Sequence, residues 1–205
     1  MKKGQIIRRF VVLAVTFAMI TGCEKEENGF VTFKSVKVEK QYQQVVKDAE
    51  ALLKDYYLGM HAGSFEQCMA PYPDFYKEAE KKWIDAYYAE QASESSVVTD
   101  YDAFIKEDAA YFSERYGDDY KVKLSIDNLY DLTESSCADM EKVMKKHFDA
   151  DIDLTACYGI TVTESMSGSK MSEDTSISWY LLCFDDKMYL YDNAHESQES
   201  ENSDE

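Results

Sequence analysis

The chain has 205 residues, 45% of them apolar and 14% aromatic, with 22 Lys and Arg against 40 Asp and Glu. Four of the bases (Lys2, Lys3, Arg8 and Arg9) and none of the acids fall in residues 1–22, so the rest of the chain sets 18 bases against 40 acids, a net charge of −22. A body that acidic repels phosphate backbones, which excludes nucleic-acid binding through a basic footprint, while this apolar and aromatic content excludes a chain disordered throughout.

In chain order, Met1–Arg9 is a positive segment and Phe10–Ile20 an uncharged, mostly apolar run of eleven. Eleven helical residues rise only about 16 Å, short of the ~20 residues that span a hydrocarbon core. The pair therefore reads as an export signal, outside the fold proper. The tetrapeptide Ile20-Thr21-Gly22-Cys23 follows: a branched apolar residue, two small residues, then a cysteine. It resembles the lipobox of bacterial lipoproteins. The resemblance implies a diacylglyceryl group on the Cys23 sulfur and cleavage between Gly22 and Cys23. The mature protein is then expected outside the cytoplasm, anchored to the cell membrane. Two acyl chains hold a bilayer stably where one binds only marginally.

Residues 23–35 are read as the lipidated cysteine and a tether, of which Glu24–Gly29 is polar and has a typical reach of about 13 Å. Residues 36–191 carry the domain, and residues 192–205, with six acids and no base, read as a disordered acidic tail. Tyr42, Val45, Val46, Ala49, Leu52, Leu53, Tyr56, Tyr57 and Met60 recur at spacings of three and four, which predicts an amphipathic helix stopping at Gly59–Gly63. Pro73 suits the first turn of a second helix bearing Tyr76, Ala79, Trp83, Ala86 and Tyr87 on one face. Ser93–Ser96 breaks that pattern. Thr99 or Asp100 caps a third helix, with Tyr101, Phe104, Ile105, Phe112 and Tyr116 inward and Gly117 at its end.

Past Gly117 the period changes to two. Tyr120, Val122, Leu124 and Ile126 alternate with polar residues as in a strand with one wet face. Thr133–Phe148 returns to helix. Leu154, Ala156, Tyr158, Ile160 and Val162 alternate again, a polar turn surrounds Ser167–Ser169, and Ile177–Phe184, apolar on both faces, is placed centrally in the sheet. Asp185-Asp186-Lys187 turns the chain into a last strand, Met188–Tyr191. Three helices followed by strand, helix and three strands predict an α+β domain with a curved, mostly antiparallel sheet.

The long first helix, the segment HAGSFEQ (His61–Gln67) and the closing FDDKMYLYD (Phe184–Asp192) resemble NTF2-like or cystatin-like domains of surface lipoproteins. In those the last hairpin often reads Asp-Gly-Lys-Trp-Tyr-Leu. Here Asp186-Lys187-Met188-Tyr189-Leu190 lacks the glycine and the tryptophan. The resemblance implies a cone of helices on a curved sheet. Such cones host enzymes and binding modules alike.

Candidate chemistry is sparse. Asp149, Asp151 and Asp153 alternate like the opening of a calcium loop, but Leu154 and Ile160 occupy the positions that need glycine and glutamate. The segment reads as a solvated connection. His61, His147 and His195 lie in separate segments with no i, i+4 pair, and no CxxC occurs, so no metal site is expected. With Cys23 modified, Cys68, Cys137, Cys157 and Cys183 remain. Cys157 and Cys183 make the most plausible bridge, and buried free thiols are the preferred reading. Ser167-x-x-Lys170 has the spacing of penicillin-recognising enzymes, but it lies in a polar turn and the companion motifs are missing. Neither a P-loop nor a dinucleotide fingerprint is present.

Aromatic residues are the remaining resource. Trp83, Tyr158, Trp179 and Tyr180 are the expected lining of any cavity in the cone, core filling being their ordinary role. The sequence thus points to a non-enzymatic, lipid-anchored binding or interaction domain. Its partners would be the membrane through Cys23 and a protein, peptide or small-molecule ligand, with no cofactor. The alternative is a small envelope enzyme that works as ketosteroid isomerase-like relatives do. It needs a buried carboxyl of raised pKa beside a tyrosine hydroxyl, and none of the 40 acids stands out as that group.

Overall fold

A computed structural model describes residues 29–34, 37–91 and 100–192. The signal segment, Cys23, Ser93–Ser96, His195 and all of the tail after Asp192 lie outside these residues. The described residues form an α+β fold of five helices and one five-stranded mixed sheet.

The chain enters as β1 (Val31–Phe33), passes a 3-10 turn at Lys40–Tyr42, and builds four helices: α1 (Gln43–Ala62), α2 (Phe65–Met69), α3 (Asp74–Gln91) and α4 (Tyr101–Tyr116). Then come β2 (Lys121–Asp131), α5 (Thr133–Phe148), β3 (Ala156–Ser167), β4 (Ser172–Phe184) and β5 (Lys187–Tyr191). The expected three leading helices are therefore four, because the five-residue α2 is too short to show a period. The sheet also begins earlier than expected: β1 lies within the stretch read as tether.

Helix α1 buries Val46, Ala49, Leu53 and Tyr57, one residue per turn, as a 3.6-residue period facing a core requires. It ends at Gly63, whose φ of 63° suits a residue without Cβ. The Gly63 N–H bonds Met60 O and the Ser64 N–H bonds Gly59 O, both at 3.1 Å. Pro73 stands just before α3 and its carbonyl accepts from Tyr76 and Lys77. Of the two capping candidates for α4, Asp100 serves, accepting from the Ala103 N–H at 3.0 Å; the helix ends at Gly117, φ 106°.

Strand order in the sheet follows the chain, β1-β2-β3-β4-β5. β1 pairs with β2 in parallel, Val31 beside Val122, and the other three pairings are antiparallel. β3 is the central strand, and β4 lies between it and the edge strand β5. Both edges are short, which limits pairing with other chains, and the β5 edge is further occupied where the Leu190 N–H bonds Pro71 O at 2.9 Å. A bulge between Ile126 and Asn128 lets β2 continue four residues past the Asp127 at which its alternation ends. The core runs between sheet and helices, with Ala49, Leu53, Leu124, Met144, Leu181, Leu190 and Tyr191 sealed from solvent.

Candidate functional site

Strand β3 carries Ile160, Val162, Glu164 and Met166 in one phase and Thr161, Thr163 and Ser165 in the other. Alternation commits the first set to one face of the sheet, and all four are buried. Glu164 therefore goes into the core by position, opposite Leu124 on β2 and Thr175 on β4. Among the described residues it is the one charged side chain with less than a tenth of its surface exposed, at 7%.

Tyr57 on α1 meets it. Its hydroxyl donates to Glu164 Oε2 at 2.8 Å. Burial pushes the Glu164 carboxyl above the usual range, opposed in part by that hydrogen bond. Tyr57 is pushed up first by burial and then by the neighbouring carboxylate, so it stays protonated and remains the donor. A carboxyl that holds its proton higher than usual, steered by a tyrosine, has the make-up of a general acid–base pair. The pair is also closed off: Tyr57 is 6% exposed, so an external molecule reaches it only if neighbouring side chains move.

Those neighbours are aromatic. Tyr56 meets Tyr57 edge-to-face with centroids at 5.1 Å, and Trp179 at 5.4 Å. Tyr72 lies 6.1 Å from Tyr56 and 6.3 Å from Trp179, and it stacks on Tyr76 at 4.7 Å. The Trp179 indole Nε1 is buried with no hydrogen-bond partner among the described residues. The Tyr76 hydroxyl donates to Asp192 Oδ1 at 2.7 Å and that of Tyr72 to Oδ2 at 3.3 Å. Asp192, expected to open a disordered tail, is thus held against α3. Both tyrosines are driven well above their usual pKa, chiefly by burial.

Of the four expected lining residues, Trp179 belongs to this cluster. Tyr180 follows it on β4 and so points to the opposite face, where its ring meets Tyr191 at 6.2 Å. Tyr158 shares the Trp179 face by register but meets Tyr42, at 6.4 Å. Trp83 stacks on Tyr87 at 5.8 Å and meets Phe104 at 5.5 Å, between α3 and α4. Each of the four therefore packs against different partners.

The remaining candidates are placed apart. Lys145 Nζ binds Asp149 at 2.7 Å and Asp151 at 2.9 Å beside an open cleft lined by Glu141, Lys142 and Ile152. Two of the three alternating carboxylates thus already hold a side-chain cation, and no group of three or more ligands able to hold a metal occurs among the described residues. His61 stacks on Phe30 at 3.8 Å and its Nδ1 lies 3.3 Å from the Tyr120 hydroxyl. His147, at the end of α5, lies beside Lys146 and Phe148. Cys68, Cys137, Cys157 and Cys183 are free thiols. Burial pushes Cys68 and Cys157 up to about 12 and Cys183 to about 11, far from the thiolate a nucleophile needs. Cys157 stands opposite Leu182, and Cys183 opposite Ala156, so the two thiols leave the sheet on opposite faces. Ser167–Lys170 is the β3–β4 turn, where Lys170 Nζ donates to the Glu114 carbonyl at 2.9 Å.

Sequence reasoning missed Glu164, although a signal was there: extending the apolar phase of Ile160 and Val162 by one step lands on it. No described helix is long and apolar enough to cross a membrane. Comparison with protein-family models, with curated proteins and with solved structures gives no match to this chain.

Proposed function

We propose that the protein is an exported lipoprotein, fixed to the cell membrane through lipidated Cys23. Its α+β body, built in the manner of an NTF2-like or cystatin-like cone, works as a binding or interaction domain of the cell envelope rather than as an enzyme. The observation that carries this is the run Phe10–Ile20 followed by Thr21-Gly22-Cys23 after a basic start. Two features support it. The strand β1 begins only eight residues beyond Cys23, so the body stands next to whatever holds that residue. The aromatic interior is closed over Glu164, the one buried carboxylate among the described residues, which favours recognition at the surface over chemistry inside.

Replacing Cys23 by Ala tests the anchor. Expressed with its own signal in a bacterial host, the wild type partitions with membranes, and Cys23→Ala appears as soluble protein or retained precursor. Membrane association that survives the substitution and a detergent-free wash refutes the anchor.

The Glu164–Tyr57 pair favours a second reading, a small envelope enzyme that uses this carboxyl as general acid–base. Under it, a panel of apolar ketones raises the melting temperature of the Cys23→Ala protein by several degrees, since a ligand bound only by the native state stabilises it. Glu164→Gln then lowers any turnover observed by at least 100-fold. No thermal shift across the panel leaves the binding-domain reading in place.

A further inference from the structure

The sheet fixes where the described chain begins. The Val122 N–H donates to Phe30 O at 2.8 Å, and the Phe30 ring lies against His61 and Tyr120, 3.8 and 5.2 Å between centroids. The N-terminal exit therefore sits at the start of β2. The end of α4 and the β3–β4 turn gather at the same pole. Lys121 pairs with Ser167, the Lys170 N–H bonds Tyr116 O at 2.9 Å, and the Ser169 N–H bonds Asp119 Oδ1 at 2.9 Å.

Three large apolar side chains stand exposed among the described residues, and two are at this pole: Tyr111 at 53% and Met171 at 38%. The third, Tyr130 at 37%, lies at the other end of β2. Nine strand steps separate it from Lys121, about 30 Å. Around the first two stand Lys121, Lys170 and Arg115, the last bridging the Tyr111 hydroxyl at 3.0 Å and Glu173 at 2.7 Å.

We propose that this pole, presenting Tyr111 and Met171, rests in the headgroup layer of the bilayer to which the protein is anchored. The proposal depends on the lipoprotein reading. Given lipidation at Cys23, six residue steps to Gly29 extend at most about 20 Å, less than the length of β2, so the exit pole is held nearer to the lipid than the Tyr130 pole. The chemistry at the pole fits that position. Tyrosine places an apolar ring and a polar tip across an interface, methionine adds a flexible apolar chain, and lysine and arginine stems lie along apolar surface with their charges in the headgroups. The acids at this pole include Glu114, Asp118, Asp119, Glu173 and Asp174. Glu173 is paired with Arg115 and Tyr116, and Asp119 accepts from Ser169. The contact is thus interfacial insertion and needs no anionic lipid.

The test uses the lipidated protein, purified from its host envelope and reconstituted in phosphatidylcholine vesicles brominated near the top of the acyl chains. Three variants carry a reporter indole, Tyr111→Trp, Met171→Trp and Tyr130→Trp, each read as quenching in excess of the wild type with its native Trp83 and Trp179. Quenching at 111 and 171 at least twice that at 130 is expected. Equal quenching at all three positions, or stronger quenching at 130, overturns the orientation while leaving the anchor intact. An intact mass showing unmodified Cys23 overturns the anchor, and the orientation with it.

Discussion

Gly59 lies within α1, where helix propensity alone says that alanine stabilises by about 0.8–1.0 kcal/mol. The structure gives the opposite sign. A Cβ at this position would stand 2.2 Å from the Cys68 backbone nitrogen, 2.4 Å from its Cα and 2.6 Å from the Gln67 carbonyl carbon. Carbon atoms pack at about 3.5–4.0 Å, so α2 must retreat by more than an ångström. The obstacle is backbone, and it is tied in place: Ser64 N–H bonds Gly59 O at 3.1 Å, and Cys68 N–H bonds Ser64 O at 2.9 Å. Overpacking costs about 1–3 kcal/mol, and more when backbone has to move. Setting the propensity gain against the upper part of that range leaves Gly59→Ala less stable by about 2 kcal/mol. For a domain of this size that is a fall in Tm of roughly 4–8 °C, measurable by circular dichroism on the Cys23→Ala protein. A second readout is chemical. The Cys68 thiol is 2% exposed and pushed up to about 12, so it is inert to a thiol reagent in the wild type and gains reactivity once α2 lifts. An unchanged or raised Tm with Cys68 still protected refutes the close approach of α1 and α2.

Three further outcomes follow from the geometry. Glu164 has its folded pKa raised by burial, so its favourable contribution is complete below the unfolded pKa near 4.3 and is lost as pH rises through the folded value. Glu164→Gln therefore melts higher than wild type at pH 7, with the difference shrinking toward pH 4; a lower Tm at pH 7 contradicts a burial cost larger than what the Tyr57 hydrogen bond returns. The Asp185 and Asp186 φ angles, 50° and 57°, describe a turn that favours glycine, so Asp186→Gly raises stability by about 0.5–1 kcal/mol in urea titration, and a loss contradicts the turn. Peptide mapping under non-reducing conditions finds no Cys157–Cys183 link, and finding one would contradict the strand register.

How much of this was visible beforehand varies with the range of the interactions involved. Helix α5 occupies the Thr133–Phe148 span its period marks, and α1 stops at the expected glycine, because caps and amphipathic spacing are local. Val31–Phe33 is too short to display an alternation of its own: the three residues become a strand only because β2, some ninety positions later, offers a parallel partner. Asp192 looked like the first residue of a tail and is instead bound by two tyrosines from the other side of the chain. The candidate site divides the same way. The phase of Glu164 on β3 is legible by counting, whereas the hydroxyl that meets it comes from a helix 107 positions earlier, and counting along a strand says nothing about which helix lies above it.

The parallel edge strand has a mechanical consequence. Tension arriving from the N-terminal side enters the body along the axis of β1, while its bonds to β2, including those of Phe30 O and the Lys34 N–H, both 2.8 Å, run across that axis. A pull therefore loads these rungs in shear, all at once, instead of peeling them open in turn. A segment of three residues can in this way serve as a clamp between a chain under load and the body behind it.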